Sequence, residues 1–427
     1  MYNQLLGYLS GRLRRHIRTA PACSVLVLCL VLISGCHQTP KYKHILIKDF
    51  RSVIDGEAVC FNVGNTAHAP ATMAVLERRF PDDISFKIWA EAPLESSLRE
   101  MMDRRFPDTE YVYGSLEEAD PALLAAVEWS DLLLVPSGGG IPGSAARALK
   151  QYKSTTGKAT GAYAVGGGSA EVVSGLDFCR MRESGALGKA AGYMPASGGL
   201  APETLFDLDL ENDTAADDLL RELGLEAGAF VCCMPSLRFT PRWEYFGSRI
   251  QPTQVQENAV YEDIDNGILR KIVCHLVRDY GLKVLFCAEQ VPELRLCREV
   301  MYDRLPEDVQ AECAVQTRMW LPDEAMSVYR RSRLMLAIHT QSPLMAVGAG
   351  VPAIMFYVDD DGTRPLMFSD LGLGAWTINI DEQFADDRGL EAVRSILDNP
   401  SATEKLLQDV RRRIDRSRER AIRASFL

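Results

Sequence analysis

Short apolar runs alternate with amphipathic stretches along the first half of the chain. Helical spacing of apolar residues predicts helices between the runs, for example at 69–80 and 94–106. Strands that alternate with helices are typical of an α/β domain with a largely parallel sheet. The apolar runs themselves predict strands at 57–63, 85–90, 110–113, 131–136, 159–164 and 176–181.

The alternation restarts after a small, turn-rich segment that begins at 196, which we interpret as the start of a linker. We therefore predict two Rossmann-like domains that face each other across a cleft, at 41–200 and 201–388, an arrangement that resembles the GT-B fold. In open α/β sheets ligands bind at the carboxyl ends of the strands, so the cleft is the expected site. Interleaved acids and arginines at 389–427 predict a charged C-terminal helix with a solvated face. In the second half the predicted strands are 229–234, 283–288, 334–338, 353–357 and 376–380.

Residues 1–35 have the composition of an export signal. They contain no acidic residue, and an apolar core at 25–33 spans only about 14 Å as a helix, half of a bilayer core. The core runs into Ile33-Ser-Gly-Cys36, which resembles a bacterial lipobox with Cys36 as the lipidated residue. An ordinary signal peptide and a buried apolar segment are the alternatives. The positive charges before the core are Arg12, Arg14, Arg15 and Arg18.

This signal predicts an exported protein, periplasmic or on the cell surface, that touches the membrane only through its lipid anchor. If the signal is not used, the protein stays in the cytoplasm.

Composition narrows the function classes. The 427 residues are 47% hydrophobic and 25% charged, which excludes a disordered chain and a polytopic membrane protein. With 47 Lys and Arg against 58 Asp and Glu, the net charge of −11 argues against nucleic acid as a partner, although it permits a local basic pocket for a small anion. Most cysteines after Cys36 lie in apolar runs, without the spacing of a zinc or thioredoxin-like site, and some disulfides stay possible.

Polar residues that directly follow predicted strands are the candidates for chemistry. His339 can bind an anion or act as a general acid, or it is structural. Arg182 and Arg238 offer planar guanidinium groups that suit phosphate or carboxylate, with surface ion pairs as the alternative. Glu289 is either a general base or a helix cap. By contrast, His275 lies in an apolar helix, where a core histidine is the better interpretation.

Three further loops have small residues but weaker signals. Thr66 or Asn65 in the first loop is a candidate helix cap, and a helix start there favours an anion. The glycine clusters at 138–140 and 166–168 match neither dinucleotide nor Walker loops, so they indicate only that the backbone comes close to something.

The order and spacing of several segments resemble the polysaccharide pyruvyl transferase family, especially a subgroup from environmental bacteria such as planctomycetes. Together they cover the chain from about 57 to 385. The segments are NVGNTAHAP at 62–70, PSGGG at 136–140, RESGAL at 182–187, PETLFDLD at 202–209, CCMPSLRFTP at 232–241, WLPDEA at 320–325, HTQSPLMA at 339–346 and GVPAI at 350–354.

This resemblance implies an enzyme that transfers a pyruvyl group from phosphoenolpyruvate to a sugar of a cell-surface glycan. The partners are then a glycan and a small-molecule donor, and neither a metal nor a cofactor besides the donor is expected. His339 matches the family histidine, which contacts and protonates phosphoenolpyruvate. The implied substrate-binding residues are Arg182, Arg238, Asn65, His68, Glu289 and Ser342.

The chain departs from the family at three positions and leaves two other functions open. Ala337, Asn65 and Ala186 stand where the best-studied members have Arg, Asp and Ser. A catalytically lapsed, lipid-anchored relative that binds glycan is one alternative. The other is a GT-B glycosyltransferase that uses a nucleotide sugar, with Glu289 as the candidate ribose contact.

Overall fold

Two parallel sheets, one in each half of the chain, organise the protein in a computed structural model that describes residues 38–50 and 60–427. Leader residues 1–35 and Cys36 lie outside the described residues, so the signal and the lipid anchor stay predictions. No helix in the described ranges has the length and apolarity needed to cross a membrane.

The first sheet has seven parallel strands in the order β3-β2-β1-β4-β5-β6-β7. Its strands are β1 His44–Phe50, β2 Ser85–Ala90, β3 Glu110–Val112, β4 Leu132–Val135, β5 Ala159–Val165, β6 Phe178–Met181 and β7 Gly198–Leu200. The helices between them are α1 Val63–Arg79, α2 Ser96–Arg105, α3 Pro121–Trp129, α4 Gly143–Thr156, α5 Ala170–Ser174 and α6 Ser184–Ala190.

The second sheet has six parallel strands in the order β10-β9-β8-β11-β12-β13. Its strands are β8 Phe230–Met234, β9 Lys283–Phe286, β10 Cys313–Val315, β11 Leu334–Ala337, β12 Ala353–Tyr357 and β13 Thr377–Asn379. The α-helices are α7 Asp213–Glu222, α8 Arg242–Tyr245, α9 Pro252–Tyr280, α10 Glu293–Arg295, α11 Glu307–Gln310, α12 Pro322–Arg331, α13 Gln341–Gly348, α14 Leu366–Ser369, α15 Ala385–Leu397 and α16 Pro400–Phe426. A π-helix, Leu296–Met301, follows α10, and 3-10 turns occur at Thr204–Asp207, Tyr302–Arg304, Asp359–Asp361 and Gly374–Trp376.

Strand order indicates where a ligand site is expected in each half. Each order reverses beside its first strand, at β1/β4 and β8/β11, which is the topological switch point of a Rossmann-like sheet. The central strands are buried on both faces, as the continuous apolar run of β4 requires. The predicted pair of Rossmann-like domains is therefore confirmed, while the exact boundaries at 200 and 388 stay predictions.

The first strand is where the sequence prediction fails. The strand is His44–Phe50, whereas the predicted one at 57–63 runs into a helix start. Asn62 accepts a hydrogen bond from the Asn65 backbone N–H, so it is the N-cap of α1 and ends any strand there. Of the predicted strand, 57–59 lies outside the described residues.

The charged C-terminal segment is two helices, and the prediction of a solvated face holds only for the outer side of α16. Val410, Ile414 and Ile422 on its inner side are buried. Phe426, at its end, packs against the rings of Tyr42, Tyr163 and Phe178 of the first half. Helix α16 therefore packs against the sheet of the first half.

We expect Phe426→Ala to lower the free energy of unfolding by about 3 kcal/mol, because an aromatic ring that is 1% exposed leaves a cavity when it is truncated. Urea unfolding followed by circular dichroism measures this. Phe384→Ala is the control, since Phe384 is 62% exposed and its loss should cost at most about 0.5 kcal/mol. Equal losses in both variants would show that α16 does not anchor the first half.

Candidate active site

Loops that follow the strands of both sheets enclose a cavity of about 290 Å³. The first half contributes Asn65 and Arg182 to its wall, and the second half contributes Arg238, Glu289 and His339. Five of the seven residues singled out from the sequence therefore line one cavity. The other two, His68 and Ser342, lie directly behind it, bonded to lining residues.

His339 lies between two buried carboxylates. Its Nε2 is 2.5 Å from Glu293 Oε1, and its Nδ1 is 3.4 Å from Glu289 Oε1. Burial alone would disfavour the charged ring, but the two carboxylates outweigh burial and raise the pKa of His339 to about 9. The ring is therefore an imidazolium at neutral pH.

Backbone N–H groups hold the two carboxylates in place. Glu289 Oε2 accepts from both the N–H and the hydroxyl of Ser342, at 2.8 and 2.7 Å, so it caps the start of α13. Glu293 Oε2 accepts from the N–H groups of Glu289 and Gln290, each at 2.9 Å. Glu289 thus binds the first turn of α13 with one oxygen and faces His339 with the other. Glu293 was not expected from the sequence, although it lies one helical turn after Glu289.

Arg238 is part of the cavity wall and is already neutralised. Its guanidinium donates two hydrogen bonds to Asp265, at 2.8 and 2.9 Å, and a third to Asp381 at 2.6 Å. Hydrogen bonding to Asp265, opposed by burial, raises its pKa further. The face of the Tyr261 ring lies 3.6 Å from the guanidinium carbon. Arg238 is thus ion-paired, as the alternative interpretation of this arginine predicts, but its ion pairs lie in the cavity wall and not on the surface.

Arg182 keeps unused donor capacity. Its side chain is 6% exposed, its Nη1 lies 3.5 Å from Glu203 Oε2, and its Nε has no hydrogen-bond partner. The glycine clusters make room for it. A Cβ on Gly166 would lie 2.9 Å from Arg182 Nε and 2.6 Å from the Gly139 carbonyl oxygen. This is the close backbone approach that the clusters indicated.

His68 belongs to a buried polar network rather than to the cavity surface. The Gln341 amide nitrogen lies 3.0 Å from both His68 Nε2 and Asn65 Oδ1. His68 Nδ1 lies 3.0 Å from Ser137 Oγ and 3.4 Å from Glu203 Oε1. His68 therefore connects Gln341 of the second half to Glu203.

Glu203 connects this network to Arg182. Burial alone would oppose its ionisation, but His68 and the Arg182 guanidinium outweigh burial and lower the pKa of the carboxyl group. Glu203 lies in segment 202–209, which the sequence marks only through the family resemblance. The contacts of Glu203 cannot be read from the sequence, because its partners come from α1 and from the end of β6.

Within the described ranges, no group of three His, Cys, Asp or Glu side chains is placed to hold a metal ion. All eight cysteines from Cys60 onward are free thiols, and burial raises the pKa of Cys60 to about 11. Six of the eight are buried, and buried cysteines pack as small apolar residues.

Comparison with known proteins identifies the fold. No protein-family model matches the chain, and no curated protein matches it. Among solved structures, UDP-GlcNAc 2-epimerase from Methanocaldococcus jannaschii has a TM-score of 0.54 at 13% identity, over 82% of this chain and 92% of that one. The Neisseria meningitidis epimerase bound to UDP-GlcNAc gives 0.52 at 11% identity, over 90% and 99%. E. coli ADP-heptose LPS heptosyltransferase II gives 0.51 at 14%, over 84% and 99%. The chain has the GT-B fold.

We expect stability to depend on the charge of His339. Its pKa is raised above the ordinary 6.5, so the stabilisation is complete below pH 6.5 and is lost as the pH rises through about 9. The free energy of unfolding of the wild type should fall by on the order of 3 kcal/mol over that range. Chemical unfolding of the wild type and His339→Gln at pH 6, 7.5 and 9 measures this, and the variant should lose most of the slope. His275→Gln is the control and should keep it. Parallel slopes for the wild type and His339→Gln would contradict the charged pair.

Proposed function

We propose that this protein transfers a pyruvyl group from phosphoenolpyruvate to a sugar of a glycan. The observation that carries the proposal is His339, which two buried carboxylates hold as an imidazolium at the wall of the cavity. A general acid must carry its proton before the reaction begins, and here the surroundings supply that state at neutral pH.

The cavity suits a small anion that carries a phosphate and a carboxylate. At about 290 Å³ it lies at the lower end of ligand sites, which is enough for a three-carbon acid with a phosphate but small for a nucleotide sugar. His339 and the unused Nε of Arg182 are cationic donors for a phosphate or a carboxylate. These features support phosphoenolpyruvate as the donor.

The proton would leave from Nδ1 rather than Nε2. Nε2 is bound to Glu293 at 2.5 Å, whereas Nδ1 is 3.4 Å from Glu289, longer than a normal hydrogen bond, so the Nδ1 proton is the less strongly held of the two. Transfer of that proton to the methylene carbon of the enol places positive charge on the central carbon. One sugar hydroxyl adds there, a second replaces the phosphate, and the product is a ketal with free phosphate. The hydroxyl protons go to His339 and to the departing phosphate.

The second candidate, a nucleotide-sugar glycosyltransferase, is favoured by the fold. The structures it is similar to include a heptosyltransferase and an epimerase bound to UDP-GlcNAc. Glu289, its candidate ribose contact, already faces Ser342 with one oxygen and His339 with the other. That occupancy is why we place the nucleotide sugar second.

Calorimetric titration of the full chain separates the two candidates. Phosphoenolpyruvate should bind at millimolar or lower concentration and lose at least tenfold in affinity in His339→Ala, because the variant removes the cation that faces the donor. His275→Ala is the matched control, since His275 pairs with Asp279 on α9 outside the cavity, and it should bind as the wild type does. Failure of the wild type to bind phosphoenolpyruvate would overturn the transferase, and binding of UDP-GlcNAc instead would support the second candidate.

The donor is a cytoplasmic metabolite, so it reaches the site only if the N-terminal segment does not export the protein. We also propose that Cys36 carries lipid. Palmitate labelling in cells should mark the wild type and not Cys36→Ser, whereas Cys60→Ser should label normally because Cys60 is 1% exposed inside the fold. Labelling would favour the glycan-binding relative over the transferase. Absence of labelling would contradict the lipobox and leave the donor within reach.

A further inference from the structure

A second, larger cavity of about 790 Å³ opens beside the first, and Arg182 lines both. Its wall is formed by the chain between the two sheets at 200–206, by α14 and the residues that follow it, and by the exposed and half-buried residues of α16 between 413 and 420. None of the candidate substrate-binding residues other than Arg182 lines it. The larger cavity is therefore a separate compartment that borders the proposed donor site at one side chain.

A buried and incompletely bonded ion pair lies at the border. Arg182 and Glu203 both line the larger cavity, and their side chains are 6% and 0% exposed. Arg182 Nε and Glu203 Oε2 have no hydrogen-bond partner. Buried polar atoms are nearly always bonded in folded proteins, so an ion pair with two unbonded atoms, formed by residues that line a cavity, retains capacity to bind a polar ligand there.

Helix α16 adds a row of arginines to the same cavity. Arg413, Arg416 and Arg420 follow one another at helical spacing and all line it. Arg413 donates to the Leu371 carbonyl oxygen. Within the described part of the chain, Arg416 and Arg420 have no carboxylate at salt-bridge distance.

The acids that line the larger cavity are bound elsewhere. Asp415 pairs with Arg411 and Arg418, and Glu419 pairs with Arg79 and Arg423, all of which lie outside the lining. Asp370 accepts from the backbone N–H and hydroxyl of Ser184 at the start of α6. Ser184 does not neutralise Asp370, but Arg413, Arg416 and Arg420 outnumber it, so the charge not paired elsewhere is positive, in a protein whose net charge is −11.

We infer that the larger cavity binds the glycan acceptor through an acidic group on the saccharide, a phosphate or a carboxylate. This inference rests on the proposed function, because it places the acceptor hydroxyls at Arg182, next to the donor. The volume suits a ligand of two or three sugar rings. Phe206, Met367 and Leu371 give the cavity an apolar surface on which the C–H faces of sugar rings can pack.

Titration with small acidic sugars tests this inference. We expect glucose 1-phosphate and glucuronate to bind the full chain and glucose to bind at least tenfold more weakly. Arg416→Gln/Arg420→Gln should weaken both acidic sugars at least tenfold. Both arginines are exposed, so the variant should fold. The matched control is Lys405→Gln/Arg412→Gln, which removes the same charge from exposed positions of α16 outside the cavity and should bind as the wild type does.

Phosphoenolpyruvate is titrated into every variant so that the two proposals fail separately. Donor binding without acidic-sugar binding would overturn only the acceptor site, and the reverse result would overturn only the donor. Acidic-sugar binding that survives in Arg416→Gln/Arg420→Gln would overturn the location. Inorganic phosphate that binds as tightly as glucose 1-phosphate would overturn the saccharide as the ligand class.

Discussion

A charged imidazole inside a protein is stable only when carboxylates face it, and this constraint organises the site. His339 follows β11, while Glu289 and Glu293 come from the turn after β9, so the ion pairs join strand ends that flank β8 in the sheet. The turn that carries the two glutamates also binds the first half. Val63 N–H donates to the Glu289 carbonyl, and Val291 N–H donates to the Phe61 carbonyl. The position of the charged ring is thus fixed relative to both sheets.

Close packing between α1 and α13 explains why a glycine of the first half faces the second half. A Cβ on Gly64 would lie 2.6 Å from the Gln341 side-chain carbon Cδ, so no larger residue allows α1 and α13 to approach this closely. That approach lets Gln341 reach both Asn65 and His68. Segment 62–70 therefore contacts the second half through Asn65 and His68, in addition to forming the capped start of α1.

The sequence predicts the fold and most of the site because parallel strands end at one edge. His339, Glu289, Arg182 and Arg238 each follow an apolar run, and that rule alone places them in one cavity. It does not predict their partners. Glu293 reaches His339, and Glu203 reaches His68 and Arg182, only after segments that are distant in the sequence pack together. Asp265 lies within a long helix, and nothing in the local sequence indicates its bond to Arg238. The sequence does not predict the strand at 44–50, because the next apolar run, at 57–63, has the stronger strand pattern. That run contains Asn62, which is the N-cap of α1 and ends any strand there.

Arg182 and Arg238 both follow strands, but carboxylates compensate their charges to different degrees. Arg238 faces Asp265 and Asp381 with three hydrogen bonds, so its charge is spent on holding the wall. Arg182 faces one carboxylate at 3.5 Å, its buried Nε has no hydrogen-bond partner, and the residue lines both cavities. An anion bound in either cavity would interact with the same guanidinium. Occupation of one cavity would therefore change the electrostatics of the other through a single side chain.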